Sequence, residues 1–182
     1  MDRVSLITQV HAAPTMAMLV ITGGGTQALA DLLAVPGASR TILEALVPYS
    51  AKSLGEFLGT PPAQAVSVET AAALAQGAYR RALQLRPSEG VPVVGLACTA
   101  TLATDRLKKG EHRAHIGVCT KSQTHMYSLT LGKGARDRSG EERIVSDLLL
   151  QVLAETCGCP STAALALLSE DLLTHQTLPA PQ

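Results

Sequence analysis

Tryptophan is absent from the 182 residues, and Phe57, Tyr49, Tyr79 and Tyr127 are the whole aromatic complement. Proteins that grip single-stranded nucleic acid use aromatic side chains as stacking platforms, and this chain has too few to build one. Nor is there an excess of charge, since fifteen basic residues balance fifteen acidic ones. No global field draws the chain to nucleic acid or to an anionic membrane, so neither is expected as a partner. No apolar run reaches the roughly 20 residues of a membrane span. Met1-Asp2-Arg3 leads into a mixed segment and not into a long apolar core of a signal peptide, which points to the cytoplasm. The four cysteines, Cys98, Cys119, Cys157 and Cys159, lack zinc-finger spacing, and Cys157-Gly158-Cys159 is too tight for it. They read as free thiols, with no metal and no cofactor expected. What is present is aliphatic: 46% of the chain is hydrophobic, nearly all of it Ala, Val, Leu and Ile. Such residues suit helices packed closely on a sheet, in one domain.

The pattern along the chain alternates. Residues 2 to 12 read as a short helix. Met16 to Ile21 is a continuous apolar run, the mark of a strand covered on both faces. The turn Thr22-Gly23-Gly24-Gly25-Thr26 follows, then a helix from Gln27 to Ala34. Thr41 to Val47 reads as a second strand and is followed by a short helix that stops at Gly59. Ser67 is placed to cap a long helix ending before Pro87. Val91 to Thr99 is a third buried strand, and a basic loop from Ala100 to Arg113 follows it. His115 to Thr120 and Thr124 to Leu131 read as a hairpin. Ser139 and Glu142 form a capping-box pattern before an amphipathic helix that stops at Gly158. A short helix is expected around Ala163 to Leu168. Residues 1 to 173 are read as the domain and 174 to 182 as a tail or linker start. This order predicts an α/β fold, with helices on both faces of a mixed sheet.

Three constellations bear on chemistry. The glycine turn presents backbone N–H groups at a helix N-terminus, where an anion is favoured and a ligand can approach closely. A tight structural turn needs the same residues. Tyr49-Ser50 ends a strand, the place where open α/β sheets bind ligands, although a strand-end tyrosine also simply packs its ring. His112 and His115, with Arg113 between them, have a spacing that could bind a metal on a helix, but His115 opens a strand and the pair reads as solvated loop residues. His125 and His175 show no partner.

Read together, Thr22 to Thr26, Val35-Pro36-Gly37-Ala38-Ser39, Tyr49-Ser50 and Phe57-Leu58-Gly59 resemble the CinA C-terminal domain family, the nicotinamide-nucleotide amidases. Ala65-Val66-Ser67 with Ala75, Gly77 and Ala78 extends the resemblance. It implies a three-layer αβα sandwich and hydrolysis of the carboxamide of nicotinamide mononucleotide to nicotinate mononucleotide and ammonia. The family nucleophile is a Ser in a Ser-Cys-Thr-Gly-Gly turn, and Thr22 stands at its place. Tyr49 and Ser50 match a Tyr-Ser pair. The family Lys that follows is replaced by Leu54, and Lys52 lies two positions early, on another helical face.

The resemblance implies Thr22 and Tyr49 as the catalytic pair. The expected ligand contacts are Gly23, Gly24, Gly25, Thr26, Ser39, Ser50, Thr99, Thr101, Arg106 and Arg138. The expected partner is a small phosphorylated nucleotide, and a homo-oligomer is expected. A hydroxyl nucleophile needs a base, and general-base assistance contributes roughly 10²–10⁴ in rate. Three readings therefore stand. The first is a working or weakened nicotinamide-nucleotide amidase. The second is a non-catalytic nucleotide-binding or regulatory domain, as part of a larger protein or alone. The third is a structural domain that keeps only the fold.

Overall fold

The structure, a computed structural model, describes residues 2–159 and 161–179. A six-stranded sheet carries helices on both faces, giving the three layers of an αβα sandwich. The elements in chain order begin with α1 (Arg3–Ala12), β1 (Met16–Thr22) and α2 (Thr26–Ala34). A 3-10 turn (Ala38–Arg40), β2 (Ile42–Leu46), α3 (Ala51–Leu58), α4 (Val68–Leu85) and β3 (Val93–Thr101) follow. The remainder is β4 (His112–Cys119), β5 (Gln123–Leu131), α5 (Arg138–Thr156) and β6 (Leu172–Pro179).

The strand order is β2-β1-β3-β4-β5-β6. β1 is parallel to both neighbours, and the rest pair antiparallel. The unbroken apolar run of β1 is explained by its place. Leu19 and Ile21 pack under α1, α2 and α5 with Ile7, Leu32 and Leu149. Met18 and Val20 pack on the other face with Leu54 of α3 and Leu74 and Ala78 of α4. Alternate side chains thus enter different cores. α4 lies unusually close to the sheet because Gly95 on β3 has no side chain. A Cβ there would sit 2.2 Å from both the Ala75 carbonyl oxygen and the Tyr79 nitrogen.

The chain leaves β1 through α2 to reach β2 on one side, then returns through α3 and α4 to β3 on the other. The carboxyl ends of β1 and β3 therefore flank a topological switch point, where open sheets leave a crevice. In register, Thr22 lies beside Thr99.

Four expectations need correction. The loop expected from Ala100 to Arg113 spans only residues 102–111, because Thr101 and Arg113 are still paired in the β3–β4 ladder. The helix cap expected at Ser139 is Asp137, whose carboxylate accepts from the Gly140 N–H at 2.8 Å, so α5 begins earlier. Residues 163–168 form no helix. The carbonyls of Ala163 and Ala166 accept side-chain N–H groups of Gln151 and Arg136, which hold the segment against α5 and the turn before it. Residues 174–179, expected in a tail, belong to β6, with only Leu173 and Leu178 of its leucines half-buried. Residues 180–182 lie outside the described residues.

Candidate functional site

A cleft of about 350 Å³ opens at the carboxyl ends of β1 and β3. Thr22 and Gly23 come from the end of β1, Tyr49 from the segment after β2, and Thr99 and Thr101 from β3. Leu54 forms part of the floor. Lys108 and Thr104 come from loop 102–111, and Arg138 is the first residue of α5.

Of the residues expected from the sequence, the cleft brings together Thr22, Gly23, Tyr49, Thr99, Thr101 and Arg138. Thr22 is only 6% exposed, and among the described residues its hydroxyl has no hydrogen-bond partner. Tyr49 is 68% exposed and stands at the rim. The Thr99 hydroxyl donates to the Ala65 carbonyl at 2.7 Å.

The others are placed elsewhere. Ser50 caps α3, its hydroxyl accepting from the Ser53 N–H at 3.2 Å. Ser39 sits exposed in the 3-10 turn that precedes β2, at the opposite end of that strand from the cleft. Arg106 carries a side chain 91% exposed, beside Asp105.

The glycine turn departs furthest from expectation. Gly23 is at φ +80°, and a Cβ there would lie 1.9 Å from the Ala100 carbonyl oxygen. The N–H groups of Gly25 and Gln27 do point at a carboxylate, but it is the chain's own. Glu142 of α5 accepts from Gly25 at 2.9 Å and from Gln27 at 3.0 Å, and the Thr26 hydroxyl reaches it at 3.4 Å. The favourable end of the α2 dipole is thus occupied from within. Behind it the Cys98 thiol is pushed far up by burial, with the Glu142 charge adding to the effect.

The opposite wall is cationic. Lys108 Nζ donates to the Thr101 hydroxyl and the Leu102 carbonyl, both at 2.8 Å. Burial and the neighbouring Arg138 charge pull its ammonium below the usual lysine value, against the attraction of Glu141. Arg138 donates to the carbonyls of Gly23 at 2.9 Å and Ala103 at 3.3 Å. Behind the wall, Arg113 donates to the Val66 carbonyl at 3.0 Å. Among the described residues none of the three has a carboxylate within ion-pair distance.

Loop 102–111 is anchored from inside. Glu141 is fully buried, accepting from the Ala103 N–H at 2.6 Å and pairing with His112 Nδ1 at 2.7 Å. His112 is therefore no solvated loop residue. His115, three residues along the same strand, bonds Ser128 instead. Burial and then Arg113 hold His115 below the usual histidine value. Among the described residues no group of three or more His, Cys, Asp or Glu side chains is placed to hold a metal. No helix among them is long and apolar enough to cross a membrane.

At the position where the resemblance puts a lysine, Leu54 is 4% exposed and packed with Met18 and Val20. Lys52 is exposed and paired with Glu56 at 4.0 Å, outside the cleft. Sequence reasoning named Arg106 from the basic loop and missed Lys108. Both lie in one run of charge, and nothing in the sequence says which of them turns inward.

No protein-family profile and no curated protein sequence matches the chain. Solved structures do. A competence/damage inducible protein from Agrobacterium tumefaciens matches 87% of this chain and 96% of its own, with a TM-score of 0.66 at 17% identity. A competence-damaged protein (CinA) superfamily protein from Escherichia coli matches 84% and 87%, with a TM-score of 0.63 at 18% identity. One from Enterobacter cloacae matches 86% and 93%, at 0.66 and 15%. The chain has the CinA-like fold over most of its length, as the resemblance implied.

Proposed function

We propose that this chain is a ligand-binding domain that holds a small phosphorylated pyridine nucleotide in the β1–β3 cleft without hydrolysing its amide. The observation that carries the reading is Leu54, an apolar side chain buried at the position where the resemblance places the base. A threonine hydroxyl is a weak nucleophile, and it attacks a carboxamide only with a group to take its proton. What supports binding is the rest of the cleft. Lys108 and Arg138 bond only neutral oxygens, so their charge is free to meet an anion. Tyr49, Ala51 and Leu54 offer an apolar end for a ring. A volume of about 350 Å³ lies in the range of small-molecule sites.

One observation favours a second reading. Lys108 lies in the cleft with its ammonium held below the usual value, as a surrogate base would require. Ammonia release from nicotinamide mononucleotide by the wild type and by Thr22→Ala separates the two. The binding reading expects no release from either. Release that Thr22→Ala abolishes establishes hydrolysis instead.

A further inference from the structure

We infer that the phosphate-gripping end of the cleft is made by Lys108 and Arg138, not by the glycine turn. This rests on the reading that a phosphorylated ligand occupies the cleft, and it assigns the ligand's orientation within it. The glycine turn is where a phosphate would first be sought, since it opens α2 and carries free amides in many nucleotide sites. Here the amides of Gly25 and Gln27 already hold the Glu142 carboxylate. A phosphate brought to the same amides would meet that negative charge at contact distance.

The other wall has the donors. A lysine ammonium has three N–H groups and an arginine guanidinium five. Two of the Lys108 donors go to the Thr101 hydroxyl and the Leu102 carbonyl, which leaves one. Two of the Arg138 donors go to the Gly23 and Ala103 carbonyls, which leaves three. These bonds fix both cations in place with no carboxylate at ion-pair distance from either. An arginine fork held in this way matches two oxygens of a phosphate monoester. The Thr22 hydroxyl, lining the same cleft without a partner among the described residues, supplies a further donor. Tyr49, Ala51 and Leu54 lie among the lining residues with no charge, and they receive the ring. The ligand class is a phosphate monoester carrying a flat ring, with the ester end on loop 102–111 and the first turn of α5.

The test is calorimetric titration of the intact chain with three probes: nicotinamide mononucleotide, nicotinamide riboside and phenyl phosphate. The variants are Lys108→Ala, Arg138→Lys, Glu142→Gln and Arg106→Ala, the last removing an equal charge from the same loop outside the cleft. Thermal unfolding confirms that each variant is folded. Lys108→Ala and Arg138→Lys should each weaken the mononucleotide about tenfold or more, the loss expected for a charge-assisted bond. Arg106→Ala should change nothing, and the riboside should bind weakly and equally to wild type and Lys108→Ala. Equal affinities for Lys108→Ala and Arg106→Ala overturn the assignment. So does tighter phosphate binding by Glu142→Gln with no loss in Lys108→Ala, which would return the phosphate to the glycine turn. Binding of phenyl phosphate but not the mononucleotide, lost in Lys108→Ala, keeps the subsite and removes the nucleotide reading. Binding of neither removes both.

Discussion

Gly23 follows β1 in a left-handed conformation with the Ala100 carbonyl oxygen 1.9 Å from where a Cβ would stand, so it has no room for a methyl group. Gly23→Ala combines a disfavoured φ with a backbone collision and should cost on the order of 3 kcal/mol, measured by urea unfolding. A loss below about 0.5 kcal/mol, the size of an ordinary surface change, would mean that the turn relaxes freely. The same tightness explains what the sequence could tell at this scale. Thr22, Tyr49, Thr99, Thr101 and Arg138 were named through the resemblance, and they meet because the ends of β1 and β3, the segment after β2 and the first residue of α5 converge at the switch point. The fate of the glycine-turn amides was not readable. Glu142 is more than a hundred residues away, and only the packing of α5 on α2 brings it there. Lys108 was equally hidden, since the direction of a loop side chain depends on the anchor that Glu141 makes to Ala103.

Among the elements, helices with a capping residue at a clear boundary were legible. The Ser67 hydroxyl accepts from the Thr70 N–H at 3.1 Å at the start of α4. Ser67→Ala should cost about 1 kcal/mol in denaturant unfolding, and no change would show that Gln64 and water replace the cap. The segment after α5 was illegible because its conformation is set by side chains from elsewhere. Arg136 pairs with Asp171 at 2.8 Å, and the buried Asp171 carboxylate also accepts from the N–H groups of Gly132 and Leu168. Burial alone would raise the Asp171 carboxyl. The Arg136 bond, the two backbone bonds and the Arg136 charge together hold it below the ordinary 3.8. Its folded value thus lies below its unfolded one, so the stability it gives is complete above about pH 4 and is lost as pH falls through the folded value. Thermal unfolding from pH 6 down to pH 2 should show a shallower acid loss in Asp171→Asn than in wild type. Parallel curves would mean that this staple contributes nothing. β6 escaped notice for a related reason: it is an edge strand with mostly exposed side chains, so neither hydrophobic alternation nor length marks it. Its pairing brings His175 to within 3.2 Å of His125, a contact no sequence spacing reveals.

For the molecule as a whole, charge was the informative quantity. A chain of zero net charge that holds Lys108 and Arg138 in one cleft with no carboxylate at ion-pair distance, while turning Glu141 and Glu142 inward, has arranged a local excess for an anion. The fold follows from alternating strands and helices and from the β1–β3 switch point, and it is shared with CinA-like structures at 15–18% identity. The chemistry does not follow from the fold, and the proposed reading rests on the side chain at residue 54. Titration of the intact chain with nicotinamide mononucleotide, with ammonia assayed in the same sample, tests this account most directly. The account predicts saturable one-site binding and no ammonia above the protein-free blank. Binding accompanied by ammonia release that Thr22→Ala abolishes, or no binding heat at all, would contradict it.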